Sequence, residues 1–162
     1  MINQKKFNIL ENECSKCSKC SLSSTRNNVV FGRGNPNSNL FVIGEGPGQQ
    51  EDEQGLAFVG RAGKMLDSAF LSVGIDTNED CYISNIVKCR PPNNRKPLAN
   101  EVKECIPWLN EQIELIKPKV IVLAGSTAVQ SYLDIDEPIS KLRGEWIIRN
   151  DIKYMPIFHP SY

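Results

Sequence analysis

The sequence predicts an α/β fold of three layers, αβα, around a central four-stranded parallel sheet. Four short runs are apolar and rich in β-branched or aromatic residues, as buried strands are: residues 40–43, 82–87, 120–124 and 153–158. Segments with helical periodicity lie between successive runs. Strands that alternate with helices in this way are typical of a doubly wound parallel sheet with helices on both faces.

The first predicted helix, residues 62–73, follows the first strand. Its apolar face consists of Met65, Leu66, Ala69, Phe70 and Val73. Gly74 comes directly after this face and is placed to end the helix as its C-cap.

The second and third predicted helices follow the second and third strands. An apolar stripe runs from Val102 to Ile116, and Pro107 should kink or split this helix because proline lacks the amide that its turn needs. The segment LAGSTAVQSYL predicts the third helix. The next segment, EPISKLRGEW, is expected to be an irregular connection to the last strand.

The length and composition predict one soluble, intracellular domain over residues 1–162. The chain has 19 lysines plus arginines and 19 aspartates plus glutamates, so any binding to nucleic acid or membrane must depend on local charge. The N-terminal residues lack the apolar core of a signal peptide, and no apolar run has the length needed to span a bilayer. No repeat or low-complexity linker divides the chain.

Chemically distinctive residues follow each predicted strand. In doubly wound sheets, ligands bind beyond the carboxyl ends of the strands. Four places meet this rule: the turn after Gly44, the segment 85–95, the turn at Gly125 and the histidine at position 159. The first of them reads GEGPGQQEDEQGLAFVGRAG, in which recurrent glycine indicates that a ligand approaches the main chain closely.

Six cysteines are the main anomaly of the composition: Cys14, Cys17, Cys20, Cys81, Cys89 and Cys105. Without a secretory signal, metal ligation is favoured over a disulfide framework. Cys14, Cys17 and Cys20 are each separated by two residues, a gap that lets two neighbouring thiolates reach one metal. Two of these three, together with Cys89 and Cys105, would make a set of four ligands. Four thiolates suit zinc or an iron-sulfur cluster, and spacing does not choose between Cys14 and Cys17. Cys81 is expected to be a small core residue.

Four motifs resemble those of a known family in their order and spacing. They are GEGPGQQED, FVGRAG, NIVKCRPPNNRKP and the terminal HPSY. The combination is similar to that of the family 4 uracil-DNA glycosylases, the iron-sulfur members of the uracil-DNA glycosylase superfamily, over residues from about Cys17 to Tyr162. The resemblance implies a DNA-repair hydrolase that cleaves the N-glycosidic bond of deoxyuridine in DNA, releasing uracil and leaving an abasic site.

The resemblance also implies a cofactor and partners. In the family a cysteine pair precedes a VVFG sequence by a fixed interval, which here selects Cys17 and Cys20 and leaves Cys14 as an extra residue. The expected cofactor is a structural [4Fe-4S] cluster, rather than zinc, held by Cys17, Cys20, Cys89 and Cys105. The expected partner is uracil-containing DNA, bound in the nucleoid of a prokaryotic cell by a monomer that needs neither a catalytic metal nor a nucleotide cofactor.

The same motifs imply roles for three side chains. Phe58 would stack on a uracil flipped out of the duplex, and the Asn85 amide would bind uracil N3–H and O4 together, a pattern that cytosine reverses. His159, the only histidine, would donate to uracil O2, where negative charge gathers as the base leaves. Without the family resemblance, Asn85 could equally cap the turn after its strand.

The turn after Gly44 supplies the remaining candidates. Gly46 and Gly48 would let the backbone approach the base and the sugar, and Gly46 stands where other branches of the superfamily carry a side chain that positions water. Glu45 is therefore the candidate for orienting water or stabilising the sugar. Glu51 would lie near uracil C5 and exclude the methyl group of thymine. The alternative is that Glu51 belongs to a solvated acidic turn or complements a helix dipole.

Basic and hydroxyl residues near the motifs are candidates for binding the DNA backbone. The cations are Lys88, Arg90, Arg95, Lys96, Lys141 and Arg143. Ser126 and Thr127 open a helix whose amides could bind a phosphate. The alternative is that these loop cations are simply solvated.

Two rival functions fit the same motifs. One is a catalytically silent iron-sulfur or zinc DNA-binding module, and the other is a glycosylase of the same superfamily with a different base preference. A dinucleotide-binding protein fits poorly, because GEGPG is not G-x-G-x-x-G. Family members continue beyond HPSY into a loop that probes the duplex and a closing helix, so the resemblance implies that this closing helix is missing here.

Overall fold

One mixed sheet of six strands forms the centre of the computed structural model, which describes residues 1–162. The strands are β1 (Arg33–Gly34), β2 (Leu40–Gly44), β3 (Cys81–Asn85), β4 (Val120–Ala124), β5 (Ile147–Arg149) and β6 (Ile152–Ile157). Their spatial order is β1-β3-β2-β4-β6-β5. The four inner strands run parallel, and the edge strands β1 and β5 pair antiparallel with β3 and β6.

The predicted α/β class is confirmed, but the sheet has six strands rather than four. The four predicted runs correspond to the inner strands, although β3 ends at Asn85, two residues before its predicted end. The amides of Ile86 and Val87 still donate to the carbonyls of Gly44 and Glu45. The edge strands are two and three residues long, which is too short for a periodic signal in the sequence.

Six α-helices accompany the sheet. They are α1 (Gln4–Cys14), α2 (Gln49–Gln54), α3 (Arg61–Leu71), α4 (Ala99–Ile116), α5 (Ser126–Leu133) and α6 (Ile139–Leu142). The three predicted helices correspond to α3, α4 and α5. The sequence does not predict α1, α2 or α6, and α6 is a single turn within the connection expected to be irregular. None of the helices combines the length and apolar character needed to cross a bilayer.

Gly74 closes the turn after α3, as predicted. Its φ is 82°, in the left-handed region that glycine tolerates. The Gly74 amide donates to the Leu71 carbonyl and the Ile75 amide donates to the Phe70 carbonyl, which are the two hydrogen bonds of a Schellman motif. The chain is thereby turned away from the helix towards β3.

Two predictions about helices need correction. The apolar face of α3 buries Leu66 against the sheet, but Met65 and Val73 are exposed because they fall outside this contact. Of the two effects predicted for Pro107, a split is excluded, because α4 continues from Ala99 to Ile116, and the kink stays a prediction. Both Pro107 and Lys103 are exposed, so water can reach the Lys103 carbonyl that the proline leaves without a donor.

Alternating side chains of the parallel strands fill cores on opposite faces of the sheet. One core joins Phe41, Ile43, Ile121 and Leu123 to buried residues of α1, α4 and α5. The other joins Val42, Ile83 and Val122 to Leu66 of α3. Helices therefore cover both faces, in agreement with the predicted three layers.

The strand order creates a crevice at the carboxyl ends of the inner strands. The chain passes from β2 to β3 through α3 on one face, and from β3 to β4 through α4 on the other. Strand β2 therefore lies between β3 and β4, and the connections leave in opposite directions. Open α/β sheets bind ligands at such a point.

Candidate active site

A pocket of about 290 Å³ lies beyond the carboxyl ends of the inner strands. It is lined by every residue that the sequence predicts to bind the base or act on it: Glu45, Gly46, Gly48, Glu51, Phe58, Asn85 and His159. These residues come from the carboxyl-terminal sides of β2, β3 and β6, from α2, and from the segment between α2 and α3. The fold brings them together, and their individual roles stay predictions.

Gly44, the last residue of β2, leaves the space in which two of these side chains meet. A Cβ at this position would lie 2.5 Å from Cζ of Phe58 and 2.6 Å from Oδ1 of Asn85, well inside contact distance. The Phe58 ring and the Asn85 amide therefore occupy the volume that any other residue would need. This close approach is the physical reason for the first glycine of the motif.

The Asn85 amide is buried, and the protein does not satisfy it. The residue is 1% exposed, and its Oδ1 has no hydrogen-bond partner. Nearly all buried polar atoms are paired, and an unpaired one costs about 1–3 kcal/mol. Oδ1 accepts no amide of the turn after β3, so the alternative role of Asn85 as a cap is not supported. A ligand N–H in the pocket would satisfy this oxygen.

His159 follows β6 and faces the Phe58 ring, with 5.9 Å between ring centroids and 31° between ring planes. The Ser161 amide donates to Nδ1 at 3.2 Å, and the Ser161 hydroxyl lies 2.7 Å from the same nitrogen. Because an amide can only donate, Nδ1 is an acceptor and the neutral ring carries its proton on Nε2. Burial lowers the pKa of His159, and the charge of Glu45 opposes this shift, so the ring is neutral at pH 7.

Glu45, directly after β2, is held by a residue of α5. Its Oε2 accepts the hydroxyl of Thr127 at 2.5 Å, and Thr127 is buried at the start of α5. Thr127, a sequence candidate for phosphate binding, thus directs its hydroxyl at the carboxylate. Gly125, before α5, has a φ of 98°, and a Cβ there would lie 3.2 Å from Cβ of His159. The carboxylate and the imidazole are therefore positioned by the same turn.

Glu51 uses both of its oxygens to bind backbone amides. Oε1 accepts the Gly48 amide at 2.9 Å, and Oε2 accepts the amides of Val59 at 2.9 Å and Gly60 at 2.6 Å. These contacts satisfy amides at the starts of α2 and α3, where unpaired N–H groups favour a negative charge. Glu51 is therefore a fixed part of the pocket wall and does not belong to a solvated turn.

The side chains predicted to bind DNA differ in their exposure and in the contacts that they already make. Lys96, Ser126 and Arg143 are exposed, and the Arg143 guanidinium lies 4.8 Å from the centroid of the Phe158 ring. Arg90 donates from Nε to Oδ1 of Asn94 at 2.8 Å. The exposed cations remain available to a phosphate, and the Arg90 side chain is partly held in place.

Arg95 lines the pocket but is engaged by an acid. Its two terminal nitrogens donate to the two carboxylate oxygens of Glu101 at 2.8 and 2.9 Å. Glu101 is fully buried near the start of α4 and also accepts the Leu98 amide. The guanidinium beside Glu101 lowers the pKa of that carboxyl. Arg95 thus fastens the pocket rim to α4, and its charge is largely neutralised there.

Lys88 is wrong as a candidate for binding phosphate. The residue is 1% exposed, and its Nζ donates to Oγ of Ser84 at 2.7 Å and to the backbone carbonyl of Asn85 at 2.8 Å. Burial lowers its pKa to about 8. The side chain folds back under the end of β3, where it supports the backbone that carries the Asn85 amide.

Five cysteines line a second, smaller cavity between the N-terminal segment, the loop after β3, and α4: Cys14, Cys17, Cys20, Cys89 and Cys105. All are free thiols, whereas Cys81 is a buried core residue on the other face of the sheet, as predicted. Burial raises the pKa of Cys14 to about 12 and that of Cys89 to about 11. A bound metal centre would favour the thiolate forms, because metal ligation requires deprotonated cysteine.

The donors around this cavity fit a thiolate-ligated group. Trp108 also lines it, and its indole N–H is buried without an acceptor. Arg26 donates to Sγ of Cys89 at 3.4 Å, and the Lys88 amide donates to Sγ of Cys105 at 3.2 Å. Hydrogen bonds to sulfur are a feature of iron-sulfur sites. No group of three or more His, Cys, Asp or Glu side chains is arranged to hold a single metal ion, so the fit rests on these thiols and N–H donors.

Sequence reasoning missed three residues that support the pocket. Ser161 lies inside the HPSY motif, so its contact with His159 could have been proposed from its position two residues later. Thr127 was considered only for phosphate. Arg33 donates to the carbonyls of Ala57 and Phe58, and nothing local to β1 indicates these distant partners.

Comparison with known proteins agrees with the geometry of the pocket. A family model of the uracil DNA glycosylase superfamily matches residues 31–162. The type-4 uracil-DNA glycosylase of Thermotoga maritima is 44% identical over 158 residues, which are 95% of this chain and 81% of that protein. Those of Archaeoglobus fulgidus and Saccharolobus solfataricus are each 40% identical, over 86% and 95% of this chain and 74% and 73% of their own length. The chain therefore belongs to the uracil-DNA glycosylase superfamily, within its type-4 family.

Proposed function

We propose that this protein is a DNA-repair glycosylase that removes uracil from DNA by hydrolysing the N-glycosidic bond of deoxyuridine. The observation that carries the proposal is the buried, unpartnered Oδ1 of Asn85, which lies beside the Phe58 ring in the pocket. Uracil presents N3–H beside O4, which matches an amide oxygen beside an amide nitrogen. Cytosine presents an acceptor at N3 and would leave Oδ1 unpaired.

The base must leave the duplex to reach this pocket. Phe58 supplies a face for stacking, which contributes about 1–3 kcal/mol per base at comparable sites. Gly46 and Gly48 keep the adjacent backbone free of side chains that would meet the nucleotide. Glu51 is the candidate wall against the C5 methyl of thymine, and its three amide contacts support this role because they prevent the carboxylate from swinging aside.

His159 stabilises the leaving group. As the bond between C1′ and N1 breaks, its electron pair remains on the uracil ring and negative charge gathers at O2. The Nε2–H of a neutral imidazole donates to that oxygen, and Ser161 holds the tautomer that carries this proton. The displaced base later takes a proton from solvent and leaves as uracil.

Glu45 serves the sugar side of the reaction. Thr127 binds Oε2, which leaves Oε1 to orient a water molecule towards C1′ or to stabilise the positive charge of the sugar. The water oxygen bonds to C1′, its proton passes to the carboxylate, and an abasic site with a C1′ hydroxyl remains. Glu45 then returns this proton to solvent and is again a carboxylate for the next turnover.

Contacts to the DNA backbone would come from the rim of the pocket. Arg90, Arg95, Lys96, Ser126 and Arg143 are the candidates, of which the exposed Lys96 and Arg143 are best placed to meet a phosphate. Such contacts are insensitive to sequence and weaken with salt. Action as a monomer, which the family resemblance implies, stays part of the proposal.

The cysteine cavity would hold a [4Fe-4S] cluster through Cys17, Cys20, Cys89 and Cys105, with Cys14 as an additional buried thiol. The cluster would supply a structural cross-link between the N-terminal segment, the loop after β3, and α4, with no part in bond cleavage. The convergence of thiols from three segments supports this role, and the type-4 relatives support the family in which it is expected. Zinc is the alternative occupant.

The test is release of uracil from a labelled oligonucleotide that contains one deoxyuridine, in single-stranded and duplex forms. Asn85→Ala and His159→Ala should each lower the single-turnover rate about 100-fold or more, since each removes hydrogen bonds to the base inside a water-excluded pocket. Asn110→Ala, an exposed asparagine on α4, is the matched control and should retain the wild-type rate.

Parallel substrates with thymine or other bases opposite guanine test the base preference. Release of another base in place of uracil would indicate a different specificity within the superfamily. A folded protein that binds the uracil duplex without releasing any base would overturn the catalytic assignment and favour a DNA-binding module.

A further inference from the structure

The backbone of Phe58 adopts a conformation that a phenylalanine rarely takes. Its φ is 52°, in the left-handed region where Cβ crowds the following carbonyl. The ring is nevertheless closely packed, because Phe58 is 6% exposed and its ring lies between Gly44 and His159. A strained backbone persists only where several neighbouring groups hold it in place. The contacts of the Phe58 backbone therefore show which residues hold the ring.

The carbonyl of Phe58 is bound by Arg33, which does not line the pocket. The Arg33 guanidinium donates to the Phe58 carbonyl at 3.0 Å and to the preceding Ala57 carbonyl at 2.6 Å. Its side chain is 9% exposed and forms an ion pair with Asp67 at 2.8 Å. Thr77 and Asn78 accept from the remaining nitrogen at 3.2 and 2.9 Å. The guanidinium is therefore fixed on all sides.

The amide at the other end of the same peptide is bound by Glu51. The Val59 N–H donates to Oε2 of Glu51 at 2.9 Å. The peptide between Phe58 and Val59 thus has a cation at its carbonyl and an anion at its N–H, each opposite the matching end of the peptide dipole. Gly63 closes the remaining side, because a Cβ there would overlap the carbonyl group of Phe58. Rotation of this peptide would break both charged contacts.

We propose that Arg33 is a positioning residue for base recognition: together with Glu51 it clamps the peptide after Phe58 and so holds the ring where a flipped base would stack. The inference rests on the proposed function for the identity of the base, but the clamp itself can be tested without activity. A preorganised ring lowers the cost of ordering the pocket when the base enters.

The first test uses the fact that His159 is the only histidine. Its imidazole protons lie near the Phe58 ring and are shifted by the ring current, and Phe58→Leu defines the spectrum without that ring. Arg33→Met should move the His159 resonances of the folded protein towards their Phe58→Leu positions. Asn78→Ala removes one contact of Arg33 but leaves both carbonyl contacts, so it should leave the resonances unchanged. Unchanged resonances in folded Arg33→Met would overturn the proposal.

The second test is a double-mutant cycle. Arg33→Met should lower kcat/KM for uracil release about 10-fold and raise the inhibition constant of free uracil by a similar factor, with Arg33→Lys intermediate. In the Phe58→Leu background, Arg33→Met should change either constant less than about 2-fold, because the positioned ring is already absent.

Other outcomes separate the possibilities. A lower melting temperature for Arg33→Met, with both constants of the folded protein unchanged, would assign Arg33 a purely structural role. An equal loss in both backgrounds would show that Arg33 acts independently of Phe58. If the wild type releases no uracil, the proposed function fails, and the histidine resonances still decide whether the clamp exists.

Discussion

The side chain of His159 depends on neighbours of two kinds. Ser161 is close in sequence and determines which ring nitrogen carries the proton. Glu45 and Phe58 are close only in space, and they surround the ring together with the turn at Gly125. Burial disfavours the imidazolium, because water that would stabilise the charge is excluded. The imidazole of His159 is therefore neutral and presents its Nε2–H as a donor in the wall of the pocket.

The stability of the protein should depend on the protonation of this half-buried histidine. Burial lowers the pKa of His159 below its ordinary value of 6.5, so between the two values the unfolded chain binds a proton that the folded chain does not. The contribution is fully present above pH 6.5 and is lost as the pH falls through the lowered pKa. Urea unfolding of the wild type should therefore show stability that decreases as the pH falls through this window, relative to His159→Gln.

An NMR titration of the single histidine supplies the matching pKa. A value at or above 6.5, or parallel pH profiles of stability for the wild type and His159→Gln, would contradict the expected direction.

At the scale of elements, three helices begin at the pocket with glycine in the N-cap position. They are α2 after Gly48, α3 after Gly60 and α5 after Gly125. A glycine has no side chain to cap the first amides, and for α2 and α3 the Glu51 carboxylate takes that role from a distance. The glycines thus place no side chain at the helix starts, and Glu51 links the starts of α2 and α3 by accepting an amide from each.

Substitution of Gly63 by alanine should destabilise the protein, whereas the same change at an ordinary helical glycine stabilises it. Replacing glycine by alanine in an exposed helix interior stabilises a protein by up to about 1 kcal/mol. At Gly63 the added Cβ would overlap the Phe58 carbonyl, so Gly63→Ala should lower the free energy of unfolding by about 2 kcal/mol. Urea denaturation measures the change, and Ser68→Ala, an exposed position of α3, is the control that should be neutral or stabilising.

If Gly63→Ala proved as stable as the wild type, the start of α3 would have to move easily. The tight contact between Phe58 and α3 would then not define the position of the ring.

At the scale of the whole molecule, the two cavities share one loop. Asn85 lines the pocket at the end of β3, and Cys89 lines the cysteine cavity four residues later. Lys88 lies between them and bonds back to the Asn85 carbonyl. A cluster bound in the cysteine cavity would therefore anchor the segment that carries the predicted base-reading amide, and it would also link the N-terminal segment to this loop.

Cysteine substitutions should separate ligands from bystanders. Alanine at Cys17, Cys20, Cys89 or Cys105 should abolish the visible absorption of the bound cluster and lower the melting temperature, since the cross-link between three segments is lost. Cys14→Ala should retain the absorption. Cys81→Ala is the control, because Cys81 is a fully buried thiol, like Cys14, but lies on the other face of the sheet. Retained colour in Cys17→Ala together with lost colour in Cys14→Ala would reverse the choice of ligand.

Local patterns predicted much of this fold. The four inner strands and helices α3, α4 and α5 appear where apolar periodicity predicts them, since each element must bury one face. The edge strands and α6 are too short to produce such a pattern, and the edge strands form only through their pairing with β3 and β6. Of the predicted phosphate contacts, Lys88 proved buried, because a basic residue in a loop sequence carries no signal of which way it points.

The sequence by itself determined the α/β class, the order of the four inner strands and of helices α3, α4 and α5, and the motifs that place the chain in its family. Together with the family resemblance it also predicted seven of the residues that line the pocket, and they lie close together because the ends of parallel strands meet at one edge of a sheet. Only the tertiary structure decided which groups hold them: Thr127 on Glu45, Arg33 and Glu51 on the Phe58 peptide, and no protein partner on Asn85. Such contacts join distant parts of the chain, and their geometry is determined by the packing of sheet and helices rather than by any neighbour in sequence.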